Sequence, residues 1–392
     1  MNGPLNGVRV LDLSRLLPGG YATLVMADLG ADVVKVEEPG RGDYIRWTPP
    51  FVGKHSSGHV ALNRAKRSLT LNLKADRGRA LLLELVEGAD VLVESFRPGV
   101  MAGLGLGHEE LCGRNPRLVY CAISGYGQDG PRARAAGHDV NYMGYAGALS
   151  ITGEPGRAPV LPGVQVGDLG GGGMAALISI LAALFRRSRT GRGGFCDVSM
   201  TDGVFSWLSI HAAAFVAQRE VPRAGAMPLT GAYPCYRVYP AADGHVTVGA
   251  LEPQFWKALC EGLGRADLVD DAYSTGARRT EVIAALEGVF RTRTRAEWME
   301  LFEDVDACVG PVNDLAEAFA DDQLRARGMV VEGKIEGVGP WTLVGDPLRS
   351  GPERAPLAIR PPPGLGEHTE EVLAEIGLSP EDVDLLRAEG VA

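Results

Sequence analysis

The chain has 392 residues, 45% hydrophobic and 22% charged, which excludes a mainly disordered polymer and leaves room for two domains or one large domain with an insertion. Its 39 basic and 49 acidic side chains give a net charge of −10, a poor balance for a nucleic-acid binder, whose affinity rests on neutralising phosphates. The 53 glycines are nearly twice the usual share of about 7%, follow no G-X-Y period, and gather in turns and in one run at 170–173.

In chain order, the spacing predicts a strand at 7–13, a turn at 18–20, and a helix at 21–29 stopped by Gly30. A second strand follows at 31–37, closed by Pro39 and Gly40. The alternation continues with an extended segment at 68–73, a helix at 79–87 and strands at 90–94 and 118–123. Short apolar strands alternating with helices argue for a parallel sheet covered by helices. A loop-rich stretch at 124–166 precedes the glycine run, a helix at 174–187, a turn at 189–194, a strand at 195–200 and one long helix at 201–218. From Tyr233 the character changes. Segments 236–239 and 245–249 read as a hairpin about Asp243 and Gly244, followed by helices at 254–262, 280–290 and 295–303, so about 225–325 reads as a second, α+β domain. A proline-rich connector at 352–363 and helices at 367–376 and 380–389 end the chain.

Six scattered cysteines with no C-x-x-C pair, and no signal peptide, point to reduced thiols in the cytoplasm rather than to a disulfide frame or a zinc site. The longest apolar stretch, 174–185, has 12 residues and ends at Arg186, short of the roughly 20 that a membrane span requires, so no membrane segment is expected.

Three acid–base candidates stand out. His138 lies in a loop after Arg132 and Arg134, where a neutral imidazole suits proton abstraction and equally suits a structural bond to backbone. Asp168 precedes the glycine run and a helix, where glycines let backbone approach a ligand and unpaired N–H groups favour negative charge; a simple helix cap is the other reading. Glu252 starts a helix ahead of Pro253, as an ordinary first-turn carboxylate would. Arg64, Lys66, Arg67 and Arg97, after Asn63, form a basic group fit for phosphates or for a solvated face. The remaining histidines, His55, His59, His108, His211, His245 and His368, show no ligand spacing, and no metal is expected.

The stretches ADLGADVVKVE at 27–37, RSLTLNLK at 67–74, FRPGV at 96–100, SGYGQDGP at 124–131 and RTGRG at 189–193, in this order, resemble the class III CoA-transferase family over residues 4 to about 350. GHDVNY at 137–142 and GALEPQF at 249–255 are similar to the α-methylacyl-CoA racemases within it, while Gly20 stands where family members often carry Pro. The resemblance implies an α/β fold with a Rossmann-like large domain, a smaller α+β domain, and an interlocked homodimer. The implied layout is 1–200 for the first part of the large domain, 201–224 for a linker helix, 225–325 for the small domain, and 326–392 for a return segment. It implies His138, assisted by Glu252 of the other subunit, and Asp168 as the two bases of a 2-methylacyl-CoA racemase. It also implies Asn63, Arg64, Arg97, Gly137 and Tyr142 as CoA contacts, with CoA as part of the substrate and no tightly bound cofactor. The alternative is a CoA-transferase with Asp168 as covalent nucleophile; a non-catalytic CoA-binding scaffold leaves the three acid–base residues without a task.

Overall fold

The computed structural model describes residues 3–335, 339–348 and 361–392, and the connector predicted at 352–363 lies largely outside them. They form two units: Met1–Ala148, Pro162–Ser209 and Gln323–Ala392, and Leu149–Leu161 with Ile210–Asp322.

The first unit is built on six parallel strands: β1 (Arg9–Asp12), β2 (Asp32–Glu37), β3 (Arg67–Thr70), β4 (Val91–Glu94), β5 (Val119–Ser124) and β6 (Gly194–Ser199). Their order is β3-β2-β1-β4-β5-β6, the doubly wound arrangement, and the central register pairs Val10 with Val33 on one side and Val91 on the other. Both faces are apolar, because a parallel sheet is covered by helices on both sides. One face takes Leu82 and Leu85 from α2 (Asp76–Glu87), together with Leu373 and Leu386 from two C-terminal helices. The other takes Ala22, Val25 and Met26 from α1 (Leu17–Asp28) and Ala176, Leu177 and Ile180 from α4 (Ala175–Thr190), with α3 (Asp139–Ala146) between them in the chain.

Three local expectations are corrected. Helix α1 starts at Leu17, because Pro18 is tolerated in a first turn and Gly19 packs where a Cβ would lie 2.3 Å from Ser14 Oγ. The glycine run is helical too: Val166–Met174 is a π-helical turn that runs straight into α4. The whole of Val166–Thr190 is 25 residues, long and apolar enough by length and composition to cross a bilayer, although its sheet-facing side is buried in the core. The long helix predicted at 201–218 is broken at Trp207 into α5 (Met200–Ser206) and α6 (Ser209–Gln218).

The glycines are explained by what they touch. A Cβ on Gly170 would meet the Trp207 ring, on Gly171 the Met200 carbonyl at 2.6 Å, and on Gly173 the Pro18 carbonyl at 2.9 Å. Across this contact, a Cβ on Gly203 of α5 would lie 2.2 Å from the Gly171 carbonyl. Protein backbone, rather than a ligand, makes the close approach.

The second unit carries an antiparallel sheet in the order Val309–Pro311, His245–Gly249, Tyr236–Pro240, the hairpin expected from sequence plus a third strand. Trp256, Leu259, Leu286, Phe290 and Trp298 fill its core from helices Pro253–Gly262, Gly276–Phe290 and Arg295–Phe302.

The glycine contact yields a stability test. Gly203→Ala should destabilise the first unit by about 3 kcal/mol through overpacking against backbone. Gly113→Ala, at a helical site with nothing within 4 Å, should be neutral or slightly stabilising; thermal unfolding of both variants checks the contrast.

Candidate active site

Strand order reverses between β1 and β4, and open α/β sheets bind ligands outside the carboxyl ends of strands at such a point. A cavity of about 500 Å³ lies there, walled by Arg15 after β1, Glu38 and Arg41 after β2, Lys74 after β3 and Phe96 after β4.

Its surroundings are set by three buried acids and three bases. Asp12, ending β1, accepts from Ser14 N at 3.0 Å, Thr23 Oγ1 at 2.7 Å and Lys66 Nζ at 3.0 Å. Lys35 of β2 meets Asp43 at 2.9 Å, and Glu37 receives the Arg46 fork at 2.7 Å on each oxygen. Burial works against ionising Asp12, but Lys35 and Lys66 outweigh it and hold the carboxyl at about 2. Burial, opposed by Asp12, brings Lys66 down to about 8.

This network takes up part of the basic group expected to touch CoA. Asn63 is buried, bonded through Nδ2 to His59 at 3.1 Å and through Oδ1 to Lys66 at 3.0 Å. Arg64 is buried with its fork on Asp28 at 2.6 and 2.8 Å. Neither walls the cavity at the strand ends. Lys66 belongs to the network, and Arg67 pairs with Asp32, Glu371 and Glu375. The cations beside the cavity are Arg15, Arg41 and Lys74, which sequence reasoning missed; their signal is that each follows a predicted strand.

His138, Asp168, Gly137, Tyr142 and Arg97 do come together around α3. His138 is exposed and precedes the helix; its N–H donates to Asn141 Oδ1 at 3.0 Å, and its carbonyl accepts from Asn141 N at 2.8 Å. The next residue, Asp139, was not singled out from sequence, where it fell in a stretch read as loop-rich. Its Oδ1 accepts from both Gly167 N at 2.6 Å and Asp168 N at 2.9 Å, fastening the π-helical turn to the start of α3. Asp168 is half-buried, and burial first, then the Asp139 charge, push its carboxyl up to about 6 against the opposing effect of His138.

Tyr142 donates its hydroxyl to the Gly137 carbonyl, and its ring occupies the space where a Cβ on Gly125 or Gly137 would come within 2.3 or 2.7 Å. Burial, then the Asp168 charge, push its phenol up to about 12, while Arg97 opposes that rise. Three N–H groups at the start of the π-helical turn, ahead of the glycine run, are taken within the protein: Asp139 accepts from Gly167 and Asp168, and Leu169 N bonds Gln165 O at 2.9 Å. Asp139 N and Val140 N, beside His138, have no hydrogen-bond acceptor among the described residues. Glu252 is exposed in the second unit, ahead of helix Pro253–Gly262, with no capping bond from its side chain.

Glu94, also missed, ends β4 in a buried site. Its Oε2 accepts from Phe96 N at 2.7 Å, fixing the loop that carries Arg97, and burial pushes its carboxyl up to about 7.

A family model described as CoA-transferase family III matches residues 5–369. The chain is 38% identical to human alpha-methylacyl-CoA racemase, covering 99% of this chain and 97% of that protein. It is 37% identical to human succinyl-CoA:glutarate CoA-transferase, covering 95% and 86%. The solved structure of a CAIB/BAIF family protein from Brucella suis superposes with a TM-score of 0.82 at 34% identity, covering 96% of this chain and all of that one. The chain belongs to CoA-transferase family III, an enzyme family.

Two titrations test this electrostatic description. Asp139→Asn keeps an acceptor for Gly167 and Asp168 but removes a like charge, so the Asp168 carboxyl should titrate below about 6, read by carbon-13 NMR. For Glu94, the folded state holds a proton between 4.5 and about 7 that the unfolded state releases. Stability therefore falls as pH rises through that window, by on the order of 3 kcal/mol. Glu94→Gln should flatten this fall, measured as the thermal midpoint against pH.

Proposed function

From this family membership we propose that the chain racemises 2-methylacyl-CoA thioesters by removing and returning the α-proton. The observation that carries the reading is the pairing of an exposed imidazole, His138, with a half-buried carboxyl poised near 6, Asp168, in one cluster. Neutral imidazole removes the α-proton, leaving a planar enolate, and protonated Asp168 delivers a proton to the opposite face. In the other direction the two groups exchange roles, and protons redistribute through water between turnovers. The open N–H groups of Asp139 and Val140 donate to the enolate oxygen, where developing charge is best stabilised.

CoA is taken with its phosphates near Arg15, Arg41 and Lys74 in the strand-end cavity and its thioester arm passing Arg97 and Tyr142. The reading includes a homodimer in which Glu252 of a second copy orients His138. Support for a second copy comes from α6, which buries none of its side chains although it carries Ile210, Phe215 and Val216.

A second reading is favoured by one observation: with its carboxyl near 6, Asp168 is largely ionised at neutral pH and serves as a nucleophile. It would attack the thioester carbonyl and expel CoA thiolate, giving a mixed anhydride that the thiolate reopens to an aspartyl-CoA thioester and a free acid.

Deuterium incorporation at the α-carbon of a 2-methylacyl-CoA, followed by NMR with chirality analysis, tests the two. Racemisation predicts exchange in the wild type, a loss of at least about a thousandfold in His138→Ala, and no modification of Asp168 by hydroxylamine during turnover. Exchange at the wild-type rate in His138→Ala would remove the imidazole from the chemistry. Trapping at Asp168 would favour the transferase.

A further inference from the structure

The loop leading to His138 carries positive charge that neither the cavity nor the proton-transfer pair uses. Residues 131–138 contain Arg132 and Arg134 and no acid. The Arg132 guanidinium lies over the Tyr145 ring, 4.5 Å from its centroid, and makes no ion pair or hydrogen bond among the described residues. Tyr145 is 60% exposed and meets Tyr126 edge-on at 5.5 Å, and Tyr126 meets Tyr142 edge-on at 5.3 Å. The Tyr126 hydroxyl lies 2.9 Å from where a Cβ on Gly137 would sit, so the aromatic row is unbroken from the residue before His138 to Arg132. His138, Tyr142 and Tyr145 recur at i, i+4 and i+7, which puts them on one side of α3, with the seven-residue step rising about 10 Å.

Stacking occupies the flat face of a guanidinium and leaves its N–H edge free for the two oxygens of a carboxylate. The ring also holds the side chain in place before a ligand arrives, so less freedom is lost on binding. The phosphates of CoA have their own cations at the strand ends, in Arg15, Arg41 and Lys74. Arg132 is thus a guanidinium without an ionic partner among the described residues, about two helical turns along α3 from His138.

We propose that Arg132, held on Tyr145, is a specificity-determining residue that binds a second carboxylate at the far end of the acyl chain, so that the favoured substrates are ω-carboxyacyl-CoA thioesters. The proposal rests on the acyl-CoA reading above and narrows it to a substrate class.

Calorimetric binding to the full chain tests it without needing turnover, using glutaryl-CoA and adipyl-CoA against pentanoyl-CoA, hexanoyl-CoA and free CoA. The wild type should bind the carboxylated chains at least about tenfold more tightly than the uncharged ones. Arg132→Gln should erase that preference while changing the affinity for pentanoyl-CoA and free CoA less than about twofold, and Arg132→Lys should keep part of it. Equal loss on all ligands in Arg132→Gln would mark a phosphate contact and overturn the proposal, as would the absence of any preference in the wild type. On the same samples, α-proton exchange is followed with 2-methylglutaryl-CoA. An Arg132-dependent preference without exchange would sink the racemase reading alone and leave the carboxylate subsite standing.

Discussion

At the centre of the first unit, the absence of side chains at Gly170–173 and Gly203 lets the π-helical turn, α1 and α5 meet backbone to backbone. A Cβ on Gly171, Gly173 or Gly203 would need a shift of main chain, and one on Gly170 would run into the Trp207 ring. The position of Asp168 follows from this contact, because it sits within the same turn. Asp139 then fixes the turn's first two N–H groups and, being next in sequence to His138, fixes the imidazole segment as well. Asp168 thus stands on a helical turn and His138 at the residue that caps α3, which is how a geometry needed within fractions of an ångström is held.

The second constraint is electrostatic. Dinucleotide-binding sheets of this strand order place pyrophosphate on the turn after the first strand. Here that turn is filled from within: Ser14 closes on Asp12, Gly19 packs on Ser14, and Lys66 donates to the Gly20 carbonyl. With three acids matched by three bases, removing any one would leave a buried charge without its counterion, a far larger loss than the worth of a surface pair. The cavity lies instead towards the ends of β2 and β3, where Arg41 and Lys74 line it.

The strands were legible because each is a short apolar run between turn residues, continuous rather than alternating because both faces of the sheet are buried. His138 and Asp168 were legible as members of motifs. What the sequence concealed were partners distant along the chain. Arg64 finds Asp28 across 36 residues and Lys66 finds Asp12 across 54, so polar residues that looked available for phosphate were interior. The glycine run was read as room for a ligand, since nothing local reveals that Pro18, Met200 and Gly203 fill that room. Asp139 fell in a stretch read as loop, and its bonds to Gly167 and Asp168 depend on a helical turn 28 residues away.

The charge next to Asp168 bears on which chemistry suits the cluster. A carboxylate that attacks a thioester needs no base, and an imidazole beside it would stand idle. Inversion at the α-carbon needs two groups that each hold and release a proton near neutrality. Burial raises the Asp168 carboxyl, and Asp139, whose bonds could equally have been made by a neutral Asn, raises it further. An acid at that position lowers the ionised fraction of its neighbour, a disadvantage for a nucleophile and an advantage for a proton donor. On the proposed racemase reading, the same carboxylate that fastens the turn would also tune Asp168 towards proton transfer, joining the placement of the group to its protonation state.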